Sequence, residues 1–578
     1  MRVADYIFAR LAGSGVDKVF GVTGRGSLYL SDAVQSNPKI DFTAMHHEQS
    51  AGYAAAAYAA AGKKAGVCLV STGVGASNAI SSVLSAWQDQ LPVIFISGQN
   101  FSWASASILE TTKRTFGEQE FDVMKTVSSI TKFATVLEKP ESIQAVMDEI
   151  LRMALSGRPG PVWLDVPLDF QSALFVGESV ESNEGQLLHE PHVARSTNFE
   201  AALELLSKSQ RPVVLLGQGA SDLSVRPALV EALSDSMTPI VYESSACDIL
   251  PFDLEQVIGS AGALGGSRAG NEALAKSDLI IVIGSTYRSF IATELSNPDS
   301  LQNHIVFDFD ELEIPPDMND TPEKVTYLGP VAKETLAAIM EKAADVCREA
   351  WFDECIVIKA KDSKLEASEE PGVDLHDLAL SMSTFSSEDA VFVTDSGLIE
   401  VIIPNHIRIS SQQRLIHPHS QGAMGFALGA SVGASLALSG RPVTVVIGDG
   451  SLMMNLQELQ TIATLELAVR VIVVENSMYS IIRKRQTELF RGRTVGTDNS
   501  NGVECANLEK TAQLFGMKYQ KAENLQQVQK ALESAHTFEL IEITGLKSQD
   551  YLKTGRAISK VGQLIEGTFE HMLPFRKL

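Results

Sequence analysis

Short runs of β-branched and aliphatic residues recur along this chain, each followed by glycine or a polar residue and then by a segment of helical character. The runs at 66–71, 279–283 and 443–447 are of this kind. Strands that are apolar throughout are buried on both faces, as happens when helices cover both sides of a parallel sheet. The alternation therefore predicts an α/β fold built from doubly wound parallel sheets.

Two polar stretches without periodicity, at 177–196 and 361–373, predict linkers in this chain of 578 residues. A chain of this length typically holds about three domains. We expect these domains at 1–176, 197–350 and 374–560. The predicted strands are 18–22, 66–71 and 93–97 in the first domain, 212–216, 239–242, 279–283 and 304–309 in the second, and 390–394, 443–447 and 471–474 in the third.

The formal net charge of −24 argues against a nucleic-acid partner, because proteins that bind nucleic acid normally present a basic face. The five cysteines lie scattered without the spacing of a metal site, which is typical of a reducing compartment. The chain also lacks the apolar core of a signal peptide and any apolar run long enough to span a bilayer. We therefore expect a cytoplasmic protein without a membrane partner.

The apolar run at 443–447 leads directly into Gly448-Asp449-Gly450-Ser451, and we predict a helix at 455–465 behind it. Glycines and a helix N-terminus let the backbone approach a phosphate group closely. A carboxylate beside that anion needs a cation between them, and Mg²⁺ suits this position because it binds carboxylates together with phosphate oxygens. Asn476, which follows the next predicted strand, is a second candidate ligand. The alternative is a tight turn without a ligand; the Walker A pattern is absent.

Glu48 follows His46 and His47 and precedes an Ala-rich segment at 49–61 that we predict to be helical. Close packing of this helix would remove water from the carboxylate, which could then share a proton with a ring nitrogen of a ligand. The alternative is a glutamate at a helix start that interacts only with the helix dipole.

The order of these motifs resembles that of the thiamine-diphosphate (ThDP) enzymes, and in particular of the acetohydroxyacid synthases, also called acetolactate synthases. The segments at 21–24, 47–49, 71–78 and 96–99 occur in the order of that family's pyrimidine-binding domain, and 448–476 resembles its diphosphate motif. The resemblance implies a central FAD-binding domain between these two. It also implies that Glu48 activates ThDP through N1′ of the aminopyrimidine, and that Asp449, Asn476 and the carbonyl of Met478 hold Mg²⁺.

Further site residues follow from the same resemblance, by matching positions. They are Gly24, Gly26, Thr72, Gly73, Asn78, Gly397, Gly422, Met424, Gly448, Gly450 and Ser451 for ThDP, Gln119 for the substrate, and Gly217, Gly219, Arg288 and Asp308 for an FAD that takes no part in net redox chemistry. Three positions depart from the family pattern, because Arg25, Val74 and Glu475 replace the usual Gly, Pro and first Asn. In the family the active site lies between subunits, so we expect a homodimer or tetramer.

The acceptor is the open question. Arg485 stands where acetolactate synthases carry a pocket Trp, and it belongs to a basic group with Arg483 and Lys484, followed by Arg491 and Arg493. This group could be a solvated helix face, or it could bind an anionic acceptor such as a nucleotide diphosphate. Under the second interpretation, the chain resembles carboligases of branched-chain sugar biosynthesis, such as the carboligase of yersiniose biosynthesis. These enzymes decarboxylate pyruvate and transfer its two-carbon unit to a nucleotide-linked deoxy-ketosugar. The alternatives are an acetolactate synthase, an oxidase that uses ThDP and flavin, and a catalytically silent paralogue.

Overall fold

The computed structural model describes residues 1–62, 65–176, 198–221, 226–234, 236–285, 302–308, 324–346, 349–361, 370–535, 538–554, 556–558, 564–566 and 572–573. Within them, the predicted architecture of three parallel-sheet α/β domains is confirmed, with six strands in each sheet. The predicted linker at 177–196 and most of the one at 361–373 lie outside the described residues.

The N-terminal domain has strands β1 (Lys18–Gly21), β2 (Asp41–Ala44), β3 (Gly66–Val70), β4 (Val93–Gln99), β5 (Phe133–Val136) and β6 (Val162–Pro167). Its helices are α1 (Val3–Gly13), α2 (Leu28–Ser36), α3 (Glu48–Gly62), α4 (Val74–Gln88), α5 (Val123–Val127), α6 (Ile143–Leu155) and α7 (Leu168–Ser172). The strands run parallel in the order β2-β1-β3-β4-β6-β5. All residues of β3, β4 and β6 are buried, as expected for strands covered on both faces.

The central domain has strands β7 (Pro212–Leu216), β8 (Ile240–Glu243), β9 (Val257–Ala261), β10 (Leu279–Ile283), β11 (Asn303–Phe307) and β12 (Val325–Gly329). Its helices are α8 (Phe199–Lys208), α9 (Arg226–Ser234), α10 (Arg268–Lys276), α11 (Lys333–Val346) and α12 (Glu349–Lys361). The strand order is β12-β11-β10-β7-β8-β9. Trp351 of α12 is buried in the apolar core of this domain and donates its indole N–H to the carbonyl of Pro212, so the packing of the domain continues past residue 350.

The C-terminal domain has strands β13 (Val391–Thr394), β14 (Arg414–Ile416), β15 (Val443–Gly448), β16 (Val469–Glu475), β17 (Lys518–Ala522) and β18 (Glu539–Thr544). Its helices are α13 (Leu375–Phe385), α14 (Leu398–His406), α15 (Phe426–Ala437), α16 (Asp449–Leu452), α17 (Glu458–Thr464), α18 (Ser480–Leu489), α19 (Leu508–Leu514) and α20 (Leu525–Glu533). Two short antiparallel pairs follow, which join β19 (Lys553–Thr554) to β22 (Met572–Leu573) and β20 (Arg556–Ile558) to β21 (Leu564–Glu566).

The N- and C-terminal sheets share one topology. The C-terminal order is β14-β13-β15-β16-β18-β17, which matches the N-terminal order strand for strand when each sheet is numbered from its first strand. Consequently α3 and α15 are equivalent helices, because each follows the second strand of its sheet. These two helices pack against each other, and a Cβ added to Gly433 would lie 1.9 Å from the carbonyl oxygen of Ala54.

The predicted helix at 455–465 was wrong in its extent. The chain forms the one-turn helix α16 directly at Asp449, then an irregular turn at 453–457, and only then α17. Asn455 in that turn is buried and donates its side-chain N–H to the carbonyl of Gly425 and to Gln49, which holds the backbone out of helical geometry. The helix N-terminus therefore lies at Asp449 itself.

Among the residues that the structure describes, no helix has the length and apolar character needed to cross a membrane.

Candidate active site

The carboxylate of Asp449 lies at the carboxyl end of β15 and is 3% exposed. It accepts hydrogen bonds from the backbone N–H groups of Gly450 (2.8 Å), Asn476 (3.3 Å) and Ser477 (2.8 Å). Burial raises the pKa of this carboxyl, and these N–H groups oppose the shift. The carboxylate is thus fixed between the ends of two neighbouring strands, the edge at which ligands bind in parallel α/β sheets.

Asn476 and Met478 form a tight turn after β16. The side-chain oxygen of Asn476 accepts the backbone N–H of Met478 at 3.2 Å, and its amide nitrogen donates to Ser480 at 2.8 Å. Ser477 between them has a φ of 55°, which brings its N–H onto Asp449. No group of three or more His, Cys, Asp or Glu side chains suited to a metal occurs among the described residues. A carboxylate, an amide oxygen and a backbone carbonyl nevertheless fit Mg²⁺, which completes its octahedron with phosphate oxygens and water.

The carboxylate of Glu475 has a hydrogen-bond partner. It accepts the hydroxyl of Ser477 at 2.5 Å. The hydrogen bond that Lys521 donates to Glu542 is the main cause of the raised pKa of Lys521, and the negative charge of Glu475 adds a minor contribution. The side chain that replaces the usual Asn thus serves the turn that carries Asn476.

The glycines of the diphosphate loop differ in what they allow. A Cβ on Gly450 would lie 2.1 Å from the ring of Tyr479, so this glycine is required by close packing. Gly448 has no atom within 4 Å of a Cβ position, and Gly397, with a φ of 84°, also faces open space. Ser451 is buried behind the loop. The open positions leave room for a ligand beside the loop.

Asp395, which the sequence analysis did not single out, holds the loop that presents Met424. Asp395 is fully buried after β13 and accepts the N–H groups of Gly425 (3.1 Å) and Ala427 (2.9 Å), and it also interacts with the hydroxyl of Ser451. Gly425 is the N-cap residue of α15 and has no side chain, so the cap comes from Asp395. Burial raises the pKa of Asp395 to about 6. The signal available in the sequence was an acid directly after a strand and before Ser396-Gly397.

Met424 itself is partly exposed between Gly422 and Gly425, whose φ values are 59° and 81°. A Cβ on Gly422 would lie 2.9 Å from the carboxylate of Glu400. Met424 therefore stands at the tip of a tightly bent loop next to the Asp449 segment.

Glu48 is the first residue of α3 and is partly buried. Its carboxylate accepts a hydrogen bond from the side chain of Asn78 at 3.0 Å, and a Cβ on Gly75 would lie 3.3 Å from it. Asn78 thus contacts the glutamate. The hydrogen bonds described here for Glu48 and Asp449 stay within their own domains, so none of them joins the two carboxylates.

Three loops interlock beside Glu48. A Cβ on Gly24 would meet the hydroxyl of Ser71 at 2.4 Å, and one on Gly26 would meet Thr72 at 1.8 Å. Gly73, with a φ of 66°, lies against the carbonyl of Gln119, which itself has a φ of 59°. The predicted pyrimidine-side residues therefore form one packed group at the carboxyl edge of the N-terminal sheet, and Gln119 belongs to it.

The glycines predicted to approach FAD in the central domain are explained by packing. A Cβ on Gly217 would lie 2.3 Å from Cα of Ser285, and one on Gly219 would lie 2.8 Å from Cα of Gly284. Their N–H groups donate to the carbonyls of Ile283 and Gly284. These glycines are therefore required because the loop at Gly284 and Ser285 packs directly against them.

Asp308, predicted on the adenine side of FAD, forms an ion pair with Arg158 of the N-terminal domain and accepts the hydroxyl of Tyr327 on its carbonyl. Arg288, and Phe309 and Asp310 beside Asp308, lie outside the described residues. A small polar cleft of about 70 Å³ opens where the three domains meet, below the range of about 300–1,000 Å³ typical of ligand sites. Its lining includes Gln88 and Gln90, Gln218 and Glu243, and His419 and Ser420.

The basic group on α18 divides into engaged and unengaged side chains. Arg483 pairs with Asp498 at 2.6 Å, whereas Lys484 pairs with Asp550 and lies over the ring of Tyr551. Arg485 is partly exposed and forms no hydrogen bond or ion pair with any residue that the structure describes. Arg491 and Arg493 are exposed in the following loop.

The sequence matches three consecutive family descriptions. Residues 1–126 match the N-terminal TPP (thiamine pyrophosphate, that is ThDP) binding domain of thiamine pyrophosphate enzymes, 199–344 match the central domain, and 395–543 match the C-terminal TPP binding domain. With the three sheets and the two half-sites described above, these matches make the chain a member of the thiamine-diphosphate-dependent enzyme family.

Within that family the chain is similar to acetolactate synthases. It is 29% identical to the acetolactate synthase isozyme 2 large subunit of Escherichia coli, over 92% of this chain and 93% of that protein. It is 28% identical to the acetolactate synthase large subunit of Lactococcus lactis, over 88% and 86% of the two chains. The protein is therefore a ThDP enzyme of the acetolactate synthase type.

Proposed function

We propose that this enzyme decarboxylates pyruvate and joins the remaining two-carbon unit to the carbonyl of a ketone, and that the ketone is a nucleotide-linked deoxy-ketosugar. ThDP, when bound, supplies the carbanion chemistry that allows a 2-oxo acid to lose CO₂. The similarity to acetolactate synthases supports the pyruvate half of this proposal.

The observation that carries the acceptor half is the unengaged Arg485. This guanidinium lies on α18, which begins two residues after Met478, and it has no partner among the described residues. A partly buried Arg without a partner is well suited to a diphosphate, which it can bind through two parallel N–H bonds. Arg483 and Lys484 support the helix through their ion pairs, so we assign acceptor binding chiefly to Arg485.

The residues at the two half-sites divide the remaining work. We propose that Glu48, oriented by Asn78, exchanges a proton with the pyrimidine ring, and that Asp449, Asn476 and the Met478 carbonyl hold Mg²⁺ at the diphosphate. Gly24, Gly26, Thr72 and Gly73 shape the pyrimidine side, with Gln119 facing the substrate. Gly397, Gly422, Met424, Gly448, Gly450 and Ser451 shape the thiazolium and diphosphate side. Domains at 1–176 and 374–560 would thus supply one half of the cofactor site each.

We further propose that these halves meet between two subunits. Exposed apolar side chains flank the cofactor loops of both domains, with Leu28 57%, Val74 69% and Met454 48% exposed. Apolar side chains in such a position usually mark an interface. The minimum assembly is a homodimer.

FAD in the central domain, at 197–350, is also proposed. It rests on the resemblance to acetolactate synthases; the small polar cleft lined by Glu243, Ser244 and His419 lies at the edge of this domain. A flavin absorption spectrum of the purified protein tests this assignment, since apoprotein without flavin bands would reject it.

The acceptor is tested by product analysis with pyruvate alone, with pyruvate and a small ketone, and with pyruvate and a CDP-linked 4-keto-3,6-dideoxyhexose. We expect the branched sugar to be the dominant product in the third reaction. Arg485→Ala should lower kcat/KM for that acceptor about ten- to a hundredfold, the value of a charged hydrogen bond, without changing pyruvate decarboxylation. Arg493→Ala is the matched control and should change neither.

The second candidate is an acetolactate synthase, which the similarity to acetolactate synthases favours. Acetolactate as the dominant product in all three reactions would establish it and reject the sugar acceptor.

A further inference from the structure

Two exposed aromatic rings are stacked on each other in the loop after β4. Phe101 and Trp103 have ring centroids 5.6 Å apart and planes inclined by 12°. Trp103 is 69% exposed, more than Trp87 at 40%, and the chain's other two tryptophans are buried. Two nearly parallel stacked rings, of which Trp103 is largely exposed, offer a surface on which a further ring can stack.

The loop that carries these rings is fixed in place at both ends. Ser102 donates its N–H (2.8 Å) and its hydroxyl (2.6 Å) to the carboxylate of Asp169. The buried carboxylate of Glu120 accepts the N–H groups of Ala106 and Gly117, which closes the loop at its base. The aromatic pair is therefore held before any ligand arrives, which lowers the entropic cost of binding.

The same loop reaches the proposed cofactor site. Its end at Gln119 lies against Gly73, because a Cβ on Gly73 would meet the Gln119 carbonyl at 1.8 Å. The side chain of Asn100, next to Phe101, donates to the carbonyl of Glu118 at 2.6 Å. The aromatic pair and the pyrimidine-side loops thus form one connected unit.

The loop that carries the aromatic pair also carries two cations. Gly117, which follows them, packs so closely on Ala104 that a Cβ would lie 2.3 Å from its carbonyl oxygen. The two cations, Lys113 and Arg114, are exposed, and neither forms an ion pair with a residue that the structure describes. The ammonium of Lys113 lies 5.0 Å from the ring centroid of Phe116. In a chain of net charge −24, such a pair of unpaired cations is suited to an anion.

We propose that Trp103, stacked on Phe101, receives the nucleobase of the nucleotide-linked acceptor, while Lys113 and Arg114 in the same loop favour an anionic ligand. This inference deepens the proposed function and rests on it. Aromatic rings that stack on a base, together with nearby positive charge, are typical of sites that bind nucleotides. The base is held without any need for hydrogen bonds to its edge.

The test uses the holoenzyme with ThDP and Mg²⁺ bound, so that the diphosphate motif is filled, and CDP as the probe. We expect CDP to quench tryptophan fluorescence, and Trp103→Ala to raise its Kd about 5- to 150-fold, the range measured for loss of base stacking. The Kd for inorganic pyrophosphate should stay unchanged. Trp87→Ala, which removes the other partly exposed tryptophan, is the control and should leave CDP binding as in the wild type.

Kinetics separate this inference from the proposed function. Trp103→Ala should lower kcat/KM for the CDP-linked ketosugar by the same factor and leave pyruvate decarboxylation and a small ketone acceptor unaffected. An unchanged Kd for CDP overturns the stacking site, as does a variant that loses activity with every acceptor or dissociates into monomers, which would make Trp103 a structural or interface residue. A wild-type enzyme that binds CDP through Trp103 yet forms only acetolactate supports the stacking site and rejects the sugar acceptor.

Discussion

The backbone N–H of His46 donates to the carboxylate of Glu458 at 3.2 Å, which ties the residues just before Glu48 to the C-terminal domain. On the other side of Glu48, the side chain of Gln49 accepts the amide N–H of Asn455 at 3.2 Å. Glu458 is fully buried and also accepts the hydroxyl of Thr461 at 2.7 Å. The position of Glu48 therefore depends on two side chains that follow the Asp449 segment in the same chain.

Replacement of Glu458 by alanine should lower both stability and activity. The backbone N–H of His46 and the buried hydroxyl of Thr461 would lose their acceptor, at a cost of about 1–3 kcal/mol. Urea unfolding measures this loss, and ThDP-dependent pyruvate turnover should fall because the start of α3 is no longer held. Glu533→Ala, at an exposed position at the end of α20, should shift stability by less than about 0.5 kcal/mol. Equal effects of the two substitutions would contradict this role of Glu458.

Two inactive variants should restore activity when they are mixed. Glu48→Gln and Asp449→Asn each remove one half of the proposed site, so each homodimer should lose at least about a hundredfold in activity. If the halves meet between subunits, unfolding and refolding of an equal mixture yields hybrid dimers with one intact site, and activity should return to about a quarter of the wild-type level. Activity that stays at the level of the single variants would place both carboxylates of one site in the same chain. Refolded wild-type protein is the control.

The contact between α3 and α15 should be intolerant of a single added methyl group. Gly433→Ala introduces a Cβ 1.9 Å from the Ala54 carbonyl, and we expect a loss of about 1–3 kcal/mol in thermal or urea unfolding despite the better helix propensity of alanine. Gly62→Ala is the matched control on the same helix pair, because its Cβ would lie 3.4 Å from that of Ala437. Wild-type stability of Gly433→Ala would show that the two helices can move apart freely.

The stability of the protein should fall as the pH rises through the range from about 4 to 7, in part because of Asp165. This carboxyl is buried in β6, where it accepts the hydroxyl of Ser97 (2.6 Å) and the amide N–H of Gln99 (2.9 Å), and burial raises its pKa to about 7. An unfolded aspartate titrates near about 4, so between these values folding takes up a proton and the free energy of unfolding decreases with pH.

Asp165→Asn removes this titration and should flatten the pH dependence of urea unfolding between about pH 4 and 7. Asp148→Asn, at an exposed position paired with Arg10, should keep the wild-type slope. An unchanged slope in Asp165→Asn would assign the effect to other groups.

The periodicity of the apolar runs predicted the fold well, because parallel strands buried on both faces leave an unambiguous pattern. The strands at 212–216 and 279–283 have the predicted bounds, and α3 differs by one residue at each end. The geometry at Asp449 also followed from sequence, since ends of neighbouring parallel strands meet at one edge.

Long-range contacts escaped prediction for a physical reason. Asp395 accepts hydrogen bonds from Gly425 and Ala427, and Arg158 pairs with Asp308 of another domain, so no local pattern marks the partners of these two carboxylates. The helix predicted at 455–465 failed because Asn455 is used in tertiary hydrogen bonds, which override local propensity. The basic group at 483–485 could be divided into paired and unpaired side chains only when Asp498 and Asp550 were known to lie beside it.

The shared strand order of the terminal sheets has an architectural consequence. The same strand order occurs twice in the chain, but the two proposed functional carboxylates lie at different positions in it. Glu48 follows the second strand of its sheet, whereas Asp449 follows the third. The proposed reactive carboxylates of the two domains therefore lie one strand apart in the shared order. The glycine-mediated contact between α3 and α15 joins both domains and helps to set the positions of both carboxylates. A substitution that changes the spacing between α3 and α15 would therefore move both proposed groups at once, and no substitution at either group alone could reverse this.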